Sequence, residues 1–273
     1  MSNAGIAKSV KTGDFQTNYH DYGEGRPVVL VHGSGPGVSA WANWRLVIPK
    51  LAEKYRVLAL DMAGFGYTDR PEGQEYNFQV WVKQLIDFLD ALELSEVDIV
   101  GNSFGGSLAL SAAIEHPGRI RRMVLMGAMG VNFEITEGLD SVWGYTPSFE
   151  NMRDMLNLFV DNKAIATDEL AQLRYEASIE PGFQESFSAM FPAPRQQWVD
   201  FMARTDEEIR GLKQPTLIVH GREDQVIPLS NSYKLMELID NAQLHVFGHC
   251  GHWTQIEQTD RFSQLVSDFL AEE

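Results

Sequence analysis

The chain has 273 residues, 44 % of them apolar, which is ample for a large core, and a formal charge of −16. So acidic a surface repels phosphates and anionic headgroups, which argues against nucleic-acid and membrane partners. One cysteine, Cys250, excludes an intrachain disulfide and a cysteine-rich metal site, and no metal is expected.

In chain order, 8–12 and 16–22 alternate apolar and polar residues and read as an antiparallel hairpin. Nearly continuous Val/Ile/Leu runs follow at 28–32, 56–61, 97–102, 122–127, 216–221 and 243–247. Runs of that kind suit parallel strands covered on both faces. Helical spacing recurs between them at 44–55, 78–94 and 105–120, and again at 229–239 and 256–270. The alternation predicts an α/β fold with a mostly parallel, doubly wound sheet. It breaks over 131–205, where helix patterns at 149–160, 167–179, 183–190 and 195–204 occur without strands. That stretch is rich in methionine and aromatics. It reads as a helical lid inserted into a core domain made of 1–130 and 206–273. The plainer alternative is extra core helices. No run reaches membrane-spanning length, and the N-terminus lacks the apolar core of a signal peptide, so a cytoplasmic protein is expected.

The chemistry centres on "VGNSFGG", in which Ser103 stands between Gly101 and Gly105. G-x-S-x-G is a weak signal alone, and such a serine can simply cap a helix. Here it follows a predicted strand and opens a predicted helix, the setting of a nucleophile elbow. A serine hydroxyl needs a base, and the base needs an orienting acid. Asp224 in "GREDQVIP" and His252 in "GHCGHW" each follow a later strand, on the same edge as Ser103. Their chain order, Ser, Asp, His, is that of an α/β-hydrolase triad. His249 competes for the base. Asp61, in "DMAGFGYTDRP", reads instead as a turn aspartate bonding backbone amides. His32 reads as structural and Cys250 as packing. The glycine-rich "VHGSGPG" loop and the first turn after Ser103 offer the backbone N–H groups of Ser34 and Phe104 as an oxyanion hole.

Together the segments "HGSGPGVSAWANWR", "DMAGFGYTDRP", "VGNSFGG", "VWGYTPS", "LRYEAS", "HGREDQVIP" and "CGHWTQIEQ" resemble the α/β-hydrolases, and among them the meta-cleavage product hydrolases. The likeness runs over nearly the whole chain and is strongest to 2-hydroxymuconate semialdehyde hydrolases and related alkyl-type enzymes. It implies an α/β-hydrolase fold and a serine hydrolase that cuts the carbon–carbon bond of 2-hydroxy-6-oxohexa-2,4-dienoates without a cofactor. It also implies a homo-oligomer, a dimer or larger. By the same resemblance Asn43, Asn102, Arg174 and Trp253 hold the substrate's carboxylate and 2-oxygen. On the helix pattern alone Arg174 is a solvated arginine near Glu169 or Glu176. Met129, Trp143, Val226 and Ile227 are expected around the position-6 substituent, with Met129 favouring hydrogen or small alkyl over phenyl. Serine at 103 separates the chain from relatives that use aspartate or cysteine there. A carboxylesterase with the same triad and a non-catalytic ligand receptor on this fold are the alternatives.

Overall fold

The computed structural model describes residues 3–272. Its eight-stranded sheet has the order β1-β2-β4-β3-β5-β6-β7-β8. Strands β1 (Lys8–Thr12) and β2 (Phe15–Tyr22) form the expected hairpin, and β2 pairs antiparallel with β4 (Arg56–Leu60). From β4 onward the sheet is parallel, through β3 (Pro27–Val31), β5 (Val97–Asn102), β6 (Ile120–Met126), β7 (Thr216–Gly221) and β8 (Ala242–Phe247).

The near-continuous apolar strands are explained by the layers they serve. Val29, Val31, Leu58, Leu60, Ile99 and Leu125 enter one core cluster. Their chain neighbours Val28, Leu30, Val57, Ala59, Val100 and Val124 enter the other. Successive side chains of a strand point to opposite faces, so both parities must be apolar. The first face is covered by α3 (Phe78–Ala91) and α4 (Phe104–Glu115), with Trp81 and Phe88 buried beneath them. The second holds Trp44 and Phe262 in a stacked pair, with Cys250 packed beside them.

Several predicted helices end or divide where local chemistry requires it. Helix α4 stops at Glu115 because Pro117 follows. The single helix expected over 44–55 is two short ones, α1 (Ala40–Trp44) and α2 (Ile48–Leu51). Ser39 caps α1 by accepting from Ala42 N at 3.1 Å, which starts that helix earlier than its apolar spacing suggests. Pro49 opens α2. The C-terminal helix likewise divides into α12 (Thr254–Glu257) and α13 (Thr259–Ala271) at Gln258.

Between β6 and β7 lies the strandless stretch. It carries α5 (Glu137–Trp143), α6 (Phe149–Phe159), α7 (Asp168–Ser178), α8 (Phe183–Met190), α9 (Gln196–Met202) and then α10 (Asp206–Arg210). Helix α5 has no clear apolar period and a glycine in its first turn. It is fixed instead by its Thr136 cap, which accepts from Leu139 N at 3.0 Å.

The chain runs from β3 to β4 on one side and then crosses back past β3 to β5 on the other, so the switch point of the sheet lies between β3 and β5. Open α/β sheets bind ligands at the C-terminal strand ends beside that point. Phe88 tests the core on the first face. Its ring is fully buried and meets Tyr19 edge-on at 5.3 Å. Phe88→Ala is expected to lower stability by about 3–5 kcal/mol, read from urea unfolding.

Candidate active site

Ser103 follows directly on β5 and precedes α4, with φ 54° and ψ −114°. A non-glycine residue there is strained, and the surroundings hold it in place. Its N–H donates to Met126 O at 2.8 Å and its carbonyl accepts from Met129 N at 3.2 Å. Gly101 and Gly105 let the strand, the helix and β3 close on one another. A Cβ on Gly101 would strike the Gly105 backbone, and one on Gly105 the Val31 carbonyl. A Cβ on Gly33 would lie 2.9 Å from Asn102 Oδ1 and 3.5 Å from Ser103 Cβ, so the β3 loop lies against the serine. Phe104 opens α4, where the first N–H groups have no intrahelical acceptor. Ser34 is buried in the β3 loop and its Oγ accepts from the Trp143 indole at 2.9 Å. His32 braces that loop. Its Nδ1–H donates to Gly33 O at 2.7 Å and its Nε2 accepts from Met62 N at 3.0 Å, and burial lowers its pKa to about 4.

The loops after β7 and β8 meet beside it. Glu223 N donates to Cys250 O and the Glu223 carboxylate accepts from Cys250 N, both at 3.0 Å. His252 is buried, and its Nδ1–H donates to Asp224 Oδ2 at 2.7 Å. Asp224 Oδ1 accepts from the N–H groups of Val226 and Ile227 at 2.7 and 2.9 Å. Burial alone would raise the Asp224 pKa. The His252 charge and the histidine donors outweigh it and hold the carboxyl below its ordinary range. The stability this carboxylate contributes is therefore fully present above the ordinary carboxylate pKa and is lost as pH falls from there through its lowered folded-state pKa. The competitor His249 is 90 % exposed, 4.0 Å from Asp161. Asp61 accepts from Ala40 N, Tyr67 N and Asn18 Nδ2, as its turn suggests.

Two parts of this arrangement have no sequence signal of their own. His220 is fully buried, with Nε2 3.0 Å from Ile227 O and 3.2 Å from Asp224 Oδ2. Facing two acceptors, Nε2 carries the proton, so Nδ1 accepts from Ser232 Oγ at 2.6 Å. It looks in sequence like an ordinary strand residue one place before Gly221. Glu257 accepts from Gly251 N at 2.6 Å and from Asp161 N and Asn162 N at 3.0 and 2.8 Å, which ties the His252 loop to the end of α6.

Ser103 and His252 share a cavity. One part of its wall is apolar. Leu139 and Val142 come from α5, and Met152, Met155, Leu156 and Phe159 from α6, at helical one-face spacing. Val226 joins them. Met129, Trp143 and Ile227, expected there from sequence, are not among the lining residues. Met129 packs in the core behind the elbow, Trp143 stacks on Phe191 at 4.4 Å while bonding Ser34, and Ile227 serves Asp224 through its N–H.

The other part of the wall is polar and brings together Asn43, Asn102, Arg174 and Trp253. Arg174 is buried rather than solvated, donates to Pro36 O at 3.2 Å and pairs with no carboxylate among the described residues. Burial first, and the Arg45 charge second, lower its pKa to about 10, so it stays protonated at neutral pH. Asn43 Nδ2 is buried without a partner. Trp253 stacks on Phe159 at 4.7 Å. Arg45 and Gln255 also line this part, and sequence reasoning missed both. Gln255 Oε1 is buried and unpartnered. Their only signal was adjacency, in "ANWR" and "HWTQ".

A serine on a strained turn, a buried histidine held by a carboxylate, and N–H donors beside them form the arrangement that activates a hydroxyl for attack on a carbonyl. Residues 26–259 match the α/β hydrolase fold family. The chain belongs to that family. Within it, this hydrolase is a member of the meta-cleavage product hydrolases. It is 59 % identical over 271 residues to the 2-hydroxy-6-oxo-2,4-heptadienoate hydrolase of Pseudomonas putida strain F1, covering 99 % of this chain and 98 % of that one. To the 2-hydroxymuconate semialdehyde hydrolase of Pseudomonas sp. strain CF600 it is 59 % identical over 267 residues, covering 98 % and 94 %. Among solved structures, a serine-to-alanine mutant of the meta-cleavage product hydrolase CumD from Pseudomonas fluorescens IP01, complexed with acetates, superposes with a TM-score of 0.97 at 62 % identity, covering 98 % of each chain.

The approach of Gly127 to the site offers a local test. Its φ is +50°, and a Cβ there would lie 3.2 Å from His252 Nδ1 and 3.3 Å from Asp224 Oδ2. Gly127→Ala is expected to lower kcat about 100-fold or more, since small displacements of catalytic groups cost that much. His220→Leu removes a donor to a charged carboxylate and is expected to lower kcat/KM about 10- to 150-fold. Steady-state rates on purified, folded variants check both.

Proposed function

We infer that this enzyme hydrolyses the carbon–carbon bond of 2-hydroxy-6-oxohexa-2,4-dienoates, with 2-hydroxymuconate semialdehyde or small 6-alkyl analogues as substrates. The observation that carries the reading is the polar wall, with a buried guanidinium that lacks a carboxylate and a buried amide donor that lacks an acceptor. A simple ester has no group to satisfy them. A dienoate carboxylate takes the fork of Arg174, and Asn43 and Asn102 reach the 2-oxygen. The apolar wall from α5 and α6 receives the position-6 substituent.

The chemistry follows from that placement. The dienol is first converted to its keto form, the 2-hydroxyl proton being removed and a proton delivered to C5, with His252 as the shuttle. The C5–C6 bond then lies beside a carbonyl at C6 and is polarised through the unsaturated ketone. Ser103, or water activated by the same base, adds to C6, and the N–H groups of Ser34 and Phe104 take up the oxyanion. The C5–C6 bond breaks with its electrons passing through the dienoate to the 2-oxygen, which takes the proton held by His252, and where Ser103 made the attack, water activated by His252 then hydrolyses the acyl-enzyme. The products are 2-hydroxypenta-2,4-dienoate and a short acid, formate in the case of the semialdehyde. Asp224 keeps His252 in the tautomer that accepts at Nε2. Residues 131–205 act as a lid, bringing Arg174 and the apolar wall over the serine together.

A substrate series that varies only the position-6 substituent, with p-nitrophenyl acetate as an ester control, tests the reading through loss of the dienolate absorbance. Hydrogen and methyl are expected to be turned over much faster than phenyl. Turnover of the ester alone would show that the substrate class is wrong. Ser103→Ala is expected to bind the dienoate and not cleave it. Arg174→Met is expected to lower kcat/KM for the dienoate about 10- to 150-fold, from loss of a charge-assisted pair. An undiminished kcat/KM would take Arg174 out of the site.

A further inference from the structure

The catalytic cavity shares Ala42, Arg45, Leu170 and Arg174 with a second hollow. That hollow lies between the N-terminal arm at Gly5, Trp41 of α1, Tyr67, and the side of α7 that carries Leu173 and Ala177. Among the described residues no carboxylate lines it. Arg45 and Arg174 stand on the common wall, and neither pairs with an aspartate or glutamate among the described residues. Arg45 donates to Ala42 O at 2.7 Å, and Arg174 to Pro36 O at 3.2 Å. Burial lowers the pKa of both guanidinium groups, and the charge on Arg45 presses further on Arg174. Two partly or wholly desolvated cations that repel one another disfavour folding, and an anion between them removes the penalty. Arg174 alone suffices for a single carboxylate bound beside Ser103. Arg45 and the hollow behind it remain unexplained by catalysis.

We propose that the second hollow is a vestibule for the carboxylate of the dienoate, in which Arg45 draws the anion in and passes it to Arg174. This rests on the reading that the substrate is a dienoate. The rest of the molecule sharpens the consequence. With a net charge of −16, the surface as a whole repels an anionic substrate. Association governed by that surface would speed up as salt screens the repulsion. Association governed by a cationic vestibule slows down as salt rises. The sign of the salt dependence therefore separates the two.

The experiment follows binding of a 2-hydroxy-6-oxohepta-2,4-dienoate to Ser103→Ala protein by stopped-flow absorbance, at about 20 and about 300 mM salt. Association is expected to slow as salt rises. Adding Arg45→Met should slow it about tenfold at low salt and abolish the slope, a loss within the range of electrostatic steering. Arg45→Lys should restore most of the rate. Leu173 is 59 % exposed at the rim, so a charge there is tolerated by the fold. Leu173→Glu should slow association and reverse the slope. The vestibule is overturned if association in the parent speeds up with salt. It is equally overturned if Arg45→Met and Leu173→Glu both keep the parent's rate and slope. Turnover of the same dienoate by the protein with Ser103 intact decides the substrate reading separately, so failure of one is not mistaken for failure of the other.

Discussion

The reversal of the chain at Ser103 is the constraint from which the rest of the site follows. A residue with φ 54° sits between a strand and a helix that touch through glycines, so the serine is held at a fixed point above the sheet. The same closeness brings the β3 loop against it, because Gly105 leaves room for the Val31 carbonyl and Gly33 for Asn102 and Ser103. The strain is offset by ordinary bonds, Ser103 N to Met126 O and Met129 N to Ser103 O, which tie the elbow to the end of the adjacent strand. The turn at Ser103, the β3 loop against it and the switch point are thus one packing solution rather than three separate features.

Around that point the electrostatics divide into a balanced half and an unbalanced half. Asp224 is buried yet fully supplied with donors, from Val226, Ile227, His252 and His220, so its charge is stabilised by the fold itself. Arg174 is buried without a carboxylate, and Asn43 Nδ2 and Gln255 Oε1 have no partners. Polar groups left unpaired in a protein interior cost stability. The balanced half holds Asp224 and His252 in a fixed relation. The unbalanced half leaves a buried cation and two buried polar atoms that the fold itself does not satisfy.

The strand frame was legible because parallel strands covered on both faces leave a continuous apolar signature, and β5 and β7 begin and end at the residues that signature marks. That Ser103, Asp224 and His252 come to one edge was legible because each follows a strand, a placement that chain order alone defines. Helix limits were less so. Ser39, Pro49 and Pro117 set them through caps and missing donors, and these act against the apolar period. The polar wall is the harder case. Arg174 lies on a helix whose neighbours are mostly polar, and nothing in its spacing distinguishes it from a surface arginine. Only the folded position of α7 over Pro36 buries it. Trp143, expected around the position-6 substituent, shows the same difficulty, because an aromatic in the helical stretch between β6 and β7 can pack in more than one way. It supports Ser34 through its indole N–H and stacks on Phe191, rather than lining the cavity.

The helical stretch between β6 and β7 is bonded to the loops that carry Ser34 and His252. Trp143 of α5 donates to Ser34 in the β3 loop. Phe159 at the end of α6 stacks on Trp253 and accepts from its backbone N–H at 3.0 Å. Glu257 binds the backbone of Gly251 on one side and of Asp161 and Asn162 on the other. Arg174 of α7 reaches Pro36. Movement of the insertion as a rigid body would therefore disturb the surroundings of Ser34, His252 and Arg174 at once.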